Sequence, residues 1–90
     1  MKGRYLHLGQ WVMVPADTIL GIFDLDNTTW SFRTRQFLEQ AEEAGEVVMV
    51  GEDLPRSFVL CQQGAQRQRV YLSQLNTTTL RRRAEQDRFE

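Results

Sequence analysis

The 90-residue chain contains one cysteine, two prolines and no apolar run that approaches the roughly 20 residues of a transmembrane helix. Cys61 has no partner for an internal disulfide, which favours a reducing compartment, so we expect a cytoplasmic protein that does not enter a membrane. His7, Gly9 and Gln10 interrupt the continuous apolar segment that a secretory signal peptide would need near the N-terminus.

The residues of common catalytic and metal sites are equally scarce. His7 is the single histidine and has no second ligand close in sequence, and one cysteine cannot complete a zinc site. The chain has neither a glycine-rich phosphate loop nor a nucleophile elbow. We therefore expect no cofactor and no metal, and we predict a non-enzymatic protein.

The composition is that of a globular domain, with 41% apolar and 26% charged residues. Ninety residues allow one domain, which we place at residues 4–80, followed by a charged helical extension or tail at 81–90. A chain of this length buries only about 60–65% of its unfolded surface, so self-association would add stability.

The clearest pattern is a change of hydrophobic period between residues 21 and 45. An apolar run up to Leu25 has the length of a buried strand, and polar residues then end it. From Ser31, a typical N-cap residue, apolar residues recur three and four positions apart. Gly45 suits the left-handed position that ends many helices, so we expect an amphipathic helix between Ser31 and Gly45.

Alternating or apolar segments on both sides of this helix predict short strands. The expected strands are residues 4–8, 11–14, 18–25, 46–50, 57–62 and 69–75. The segment 46–50 is apolar on both faces, which predicts a central strand, and a polar turn around Gly64 predicts a hairpin of the last two. The fold class is therefore α+β: a small curved antiparallel-rich sheet of about six strands, one packed helix and a C-terminal helix or tail.

The charges are unevenly distributed, although the net charge is only −1. Residues 1–54 carry four bases and nine acids, a net −5, whereas residues 55–90 carry seven bases and three acids, a net +4. Ten of the eleven bases are arginine, which favours bidentate contacts with phosphate or carboxylate groups, although a GC-rich genome would produce the same bias. Two interpretations stay open: an anionic partner at one end of the molecule, or head-to-tail packing of identical subunits.

The order of charges along the predicted helix opposes its dipole. Arg33 and Arg35 lie in the first turns, where acids are favoured, and Glu39, Glu42 and Glu43 lie in the later turns. The reversal costs little at a solvated helix, so chance could explain it. The alternative is an external anion against the two arginines, either a phosphate or an acidic face of another subunit.

A last helix is expected over residues 78–87, with only Leu80 and Ala84 on its apolar face, so it should be weak on its own. It carries three adjacent arginines, which point around a helix rather than along one face. A solvated surface and a phosphate-binding patch are both compatible with that run. The predicted nucleic-acid or anion contacts are Arg33, Arg35, Arg56, Arg81, Arg82 and Arg83.

The segment Asp-Leu-Asp-Asn-Thr, which starts at Asp24, resembles the opening motif of haloacid-dehalogenase phosphohydrolases. That resemblance implies Asp24 as nucleophile and Mg²⁺ ligand and Asp26 as general acid and base. Such an enzyme also needs a cation near the phosphoryl group, and the only lysine is Lys2. The competing interpretation is structural: the two carboxylates cap turns or pair with Arg33 and Arg35.

Five blocks resemble the RemA/RemB family of bacterial extracellular-matrix regulatory proteins, especially its RemB members. The blocks are YLHLG at 5–9, GIFDLD at 21–26, TRQFL at 34–38, LPRSFV at 54–59 and VYLS at 70–73. They occur in one order along the chain, and the resemblance covers about residues 4–83.

The resemblance implies a regulator of transcription of matrix (biofilm) genes, which binds double-stranded DNA as a homo-oligomer, a ring in RemA. RemA-like members contact DNA with arginines before the third strand and in the loop before the fifth. The matching positions here are Thr18 and Leu54-Pro55, and only the adjacent Arg56 keeps a base in that loop. The alternative is an oligomeric scaffold or protein-interaction module that does not bind DNA.

Overall fold

The computed structural model describes residues 4–26, 31–65 and 67–88, with side chains described up to Glu85. The described residues form six strands, one 3-10 turn and two α-helices. The elements are β1 (Tyr5–Gly9), β2 (Val12–Pro15), the 3-10 turn (Ala16–Thr18), β3 (Ile19–Asp24), α1 (Phe32–Glu43), β4 (Val47–Met49), β5 (Ser57–Gln63), β6 (Arg67–Ser73) and α2 (Thr77–Arg88). The predicted α+β class is confirmed, and the six strands are divided between a two-stranded and a four-stranded sheet.

The four-stranded sheet has the order β3-β5-β6-β4, and its neighbours are antiparallel except for β4, which runs parallel to β6. The prediction of a central strand at 46–50 is therefore wrong, because β4 is an edge strand. The apolar residues of this segment belong to two cores. Val47 of β4 packs under α1, Val50 directly after β4 packs on the opposite face, and Met49 is half exposed. The expectation of a buried strand at 18–25 is also wrong, because β3 forms the other edge.

Both faces of the four-stranded sheet are covered, as the alternation along β5 shows. Phe58 and Leu60 point to the face that α1 covers, whereas Val59 and Cys61 point to the face covered by the β1–β2 hairpin and α2. Burial raises the pKa of the Cys61 thiol, so this side chain behaves as a small apolar core residue.

The β1–β2 hairpin and α2 form one layer over the sheet. Leu6 and Leu8 of β1 are buried while Tyr5 is half exposed, as the sequence alternation predicted. The hydroxyl of Ser73, also buried, donates to the carbonyl oxygen of Leu8 at 2.8 Å. This hydrogen bond fastens the hairpin to the end of β6.

The helix α1 forms the opposite layer and confirms the predicted amphipathic helix. Ala41 is its buried residue, and Phe37 and Leu38 pack beside it on the sheet. At its C-terminus Gly45 has φ +74°, and the N–H of Glu46 donates to the carbonyl oxygen of Ala41 at 2.9 Å. That arrangement is a Schellman motif, so the glycine occupies the position that the sequence predicted. Neither α1 nor α2 is long and apolar enough to cross a membrane.

Replacement of Ser31 by alanine should destabilise the protein by about 1 kcal/mol, because Ser31 is the N-cap of α1. Its hydroxyl accepts the N–H of Thr34 at 3.1 Å, and alanine removes that acceptor. Urea denaturation measures the loss. Ser31→Asp is the control, because it keeps an acceptor oxygen and adds favourable charge at the helix start. Equal stabilities for the two variants would contradict the cap assignment.

Candidate nucleic-acid interface

The six predicted contact arginines do not form one surface. Arg33 and Arg35 lie on α1, and the run 81–83 lies on α2, in layers on opposite faces of the four-stranded sheet. Arg56 lies between them at the end of the sheet, directly before β5. A single straight ligand therefore cannot contact both helices of one subunit on a common face.

Arg56 is paired within the chain. Its Nε and Nη2 atoms donate to the two carboxylate oxygens of Asp26 at 3.1 and 3.2 Å, in an exposed bidentate ion pair. This hydrogen bonding, followed by the charge of Asp26, raises the pKa of the Arg56 guanidinium above its usual value. The pair is locally neutral, so Arg56 adds little attraction for an external phosphate.

The two aspartates of the phosphohydrolase-like motif are used for local structure. Asp24 accepts the backbone N–H of Asp26 at 2.8 Å, which confirms the predicted turn cap. The predicted pairing with the α1 arginines is wrong, because Asp26 pairs with Arg56 instead. Within the described side chains no group of three or more His, Cys, Asp or Glu could hold a metal. The rest of the motif, residues 27–30, lies outside the described residues.

The α1 arginines are exposed and lie on different flanks of the helix. Arg33 borders a groove beside β3, and Arg35, two residues later, projects about 200° further around the helix axis. Neither makes an ion pair with a described acid, and the first turn contains no acid. The reversed charge order is therefore not compensated by the described part of the subunit.

The α2 arginines at 81–83 are the longest run of consecutive bases among the described residues. Arg81 and Arg82 are exposed, and Glu85, one turn further, makes no ion pair with them. Arg83 is half-buried, and its Nη1 donates to the carbonyl oxygen of His7 at 3.2 Å, which ties α2 to β1.

An asparagine caps the start of α2. The side-chain oxygen of Asn76 accepts the N–H of Thr79 at 2.8 Å. Leu80 is fully buried against the hairpin layer, and the half-buried Ala84 packs beside it, which confirms the short apolar face. The boundary proposed between residues 80 and 81 falls inside this continuous helix. The arginines therefore project from an element docked onto the core.

The positions that the RemA resemblance marks for DNA contact carry no charge. Thr18 donates its hydroxyl hydrogen to the carbonyl oxygen of Pro15 at 2.7 Å. Leu54 is 86% exposed, and Pro55 follows it in the loop before β5. Any charge-assisted contact with DNA phosphates in this protein therefore has to come from other side chains.

Two surfaces were not predicted from the sequence. The first is an open apolar groove of about 240 Å³, here called the aromatic groove, which is lined by Phe23, Arg33, Thr34, Phe37, Phe58 and Leu60. The second is the loop 51–55, here called the acidic loop, in which Leu54 follows Glu52 and Asp53 and all three are exposed. The sequence signal that could have indicated the acidic loop is Leu54, a large apolar residue between two acids and a proline.

Comparison with other proteins leaves the family open. No protein-family model and no curated protein matches the chain. The resemblance to the RemA/RemB family stays a prediction, and the functional case depends on the geometry of the described residues.

Proposed function

We propose that the protein is a non-enzymatic cytoplasmic regulator of extracellular-matrix genes, which binds double-stranded DNA as a homo-oligomer. The observation that carries the proposal is the surface of α2, where Arg81 and Arg82 are exposed and pair with no described acid. The role in matrix gene expression follows from the RemA/RemB resemblance alone, whereas the α2 surface supports binding to a polyanion.

The α2 arginines suit phosphate contacts better than base readout. Arg81 and Arg82 are about 100° apart around the helix, so they reach phosphates on different sides of it. Guanidinium groups bind phosphate oxygens bidentately and without regard to base sequence. Because Leu80 and the Arg83–His7 hydrogen bond hold the helix, the exposed guanidiniums are presented by a fixed backbone.

We propose that the protein has no catalytic role, because both aspartates of the phosphohydrolase-like motif are engaged in local contacts. Asp26 is engaged by Arg56 through both carboxylate oxygens, and Asp24 accepts a backbone N–H. A phosphohydrolase of the haloacid-dehalogenase type would need both groups free to face a substrate and a metal. The observed contacts favour the structural role over the catalytic one.

Binding to duplex DNA should weaken steeply with salt, and this dependence tests the α2 surface. Fluorescence anisotropy on a labelled duplex from about 50 to 200 mM salt gives the slope of log K against log salt. Arg81→Gln and Arg82→Gln should each lower the magnitude of the slope by about 1, because each removes one phosphate contact. The substitutions keep good helix propensity, so the fold is retained.

Arg67→Gln is the matched control, because Arg67 is exposed at the start of β6, away from α2, and loses the same charge. Its slope should stay close to that of the wild type. Equal changes for Arg67→Gln and Arg82→Gln would show diffuse attraction rather than an α2 site. No anisotropy change for the wild type at about 50 mM salt would contradict DNA binding.

A second candidate function is an oligomeric protein-interaction module that does not bind DNA. The specific observation in its favour is the amount of exposed apolar surface, with Trp11 94%, Leu54 86% and Phe32 75% exposed. A stable oligomer that gives no anisotropy change on DNA would favour this module over the DNA-binding regulator.

A further inference from the structure

The aromatic groove is an open apolar site, and Arg33 is the cation among the described residues that line it. Its floor is built from stacked rings, because Phe58 lies 4.7 Å from Phe23 and 5.9 Å from Phe37 between ring centroids. Phe23 is 43% exposed, and Arg33 makes no ion pair with a described acid. At about 240 Å³ the groove is smaller than the roughly 300–1,000 Å³ of small-molecule pockets, but it admits an aliphatic side chain.

The acidic loop has the complementary chemistry. Leu54 is 86% exposed, and Glu52 and Asp53 directly before it make no ion pair with a described base. The loop is held at both ends. At its start Gly51 has φ +94°, and a Cβ added there would lie 2.6 Å from the side-chain amide of Gln74. At its end the backbone N–H of Arg56 donates to the carbonyl oxygen of Ser73 at 2.8 Å.

We propose that the acidic loop of one subunit docks into the aromatic groove of a second copy of this chain. Leu54 fills the groove, and Glu52 and Asp53 face Arg33. The exposure of Leu54 shows that the loop does not occupy the groove of its own subunit. The occupant is a second copy because this chain itself carries an exposed apolar side chain beside acids that match the lone cation.

This contact deepens the proposed function, since it rests on the homo-oligomer and names its surfaces. Loop and groove are different surfaces, so the contact is heterologous: every subunit that uses its groove still offers its loop. Such contacts add subunits until they close into a ring, or else extend as a filament. The anion expected opposite Arg33 is then a carboxylate of the neighbouring subunit, while α2 remains available for DNA.

Sedimentation velocity on the full chain tests the contact. Leu54→Ser should raise the dissociation constant for self-association about ten- to hundredfold, because a buried leucine is lost from the interface. Arg33→Glu should weaken association by placing like charges opposite each other. Met13→Ser is the control, because Met13 is 56% exposed on the hairpin and lies outside both surfaces. Circular dichroism checks that each variant is folded.

A mixing experiment tests the head-to-tail geometry. Leu54→Ser protein keeps an intact groove and Arg33→Glu protein keeps an intact loop, so an equimolar mixture should form a 1:1 dimer that neither variant forms alone. Variants that stay monomeric when mixed would overturn the geometry, and an oligomer that tolerates both substitutions would overturn the contact. A monomeric wild type would overturn the contact and the proposed homo-oligomer together, whereas a lost salt slope with unchanged mass would affect the DNA proposal only.

Discussion

Phe58→Ala is expected to lower the free energy of unfolding by about 3–5 kcal/mol. Phe58 is 5% exposed, and the rings of Phe23 from β3 and Phe37 from α1 both stack on it. Alanine would leave a cavity where an edge strand, an inner strand and a helix meet. Because small domains are stable by only about 5–15 kcal/mol, this loss would remove a large part of the free energy of unfolding. Urea denaturation measures it.

Phe32→Ala provides the control for the same chemical change at a solvent-facing position. Phe32 is 75% exposed at the first turn of α1, so its truncation should alter stability by no more than about 0.5 kcal/mol. A loss of less than about 1 kcal/mol for Phe58→Ala would show that the three rings do not form a packed cluster.

Leu80→Ala should cost about 2–5 kcal/mol and should also weaken DNA binding. Leu80 is fully buried and is the main apolar anchor among the described side chains of α2, beside the half-buried Ala84 and the Arg83–His7 hydrogen bond. Isolated helices of this length are marginal in water, so a helix with a weakened anchor should fray. The arginines would then lose the fixed backbone that presents them to phosphates. Urea denaturation and DNA anisotropy measure the two effects.

Leu20→Ala is the comparison for Leu80→Ala, because Leu20 is 63% exposed on the edge strand β3 and lies outside both the aromatic groove and the acidic loop. Its effect on monomer stability should stay within about 0.5 kcal/mol. If Leu80→Ala lost stability but bound DNA with an unchanged salt slope, the arginines of α2 would not be the phosphate contacts.

The local elements were predictable because their signals are local. Ser31 and Gly45 delimit α1 through a cap and a left-handed residue, which depend on neighbours three to five positions away. Strand β1 followed from its alternation, with Leu6 and Leu8 inside. Leu80 and Ala84 likewise gave the face by which α2 docks.

The order of strands in the sheet was not predictable, because periodicity reports burial rather than neighbours. The apolar run 46–50 has the composition of an inner strand, yet β4 lies at an edge and the residues of the run belong to two cores. The Arg56–Asp26 pair joins residues 30 positions apart, so it depends on the pairing of β3 with β5. Without that register, Arg56 looked like a cation available to an external anion.

The aromatic groove could not be read from the sequence for a related reason. Phe23 and Phe58 face each other only because β3 pairs with β5 in one register, after an irregularity between Ile19 and Gly21. A shift by one residue would place Phe23 on the other face of the sheet. The groove is therefore a product of strand pairing across more than thirty residues of chain.

The parallel pairing of β4 with β6 also bears on the order in which the molecule folds. The hairpin of β5 and β6 closes across a short turn, whereas β4 gains its ladder only after β6 is in place, and α1 gains the Phe58 platform only from β5. Pairing over such separations costs loop-closure entropy before the contacts form, so it is slower than closing a short hairpin. We expect amide protection from hydrogen exchange to appear first in the β5–β6 hairpin. The helix α1, which bears Arg33, should be protected later.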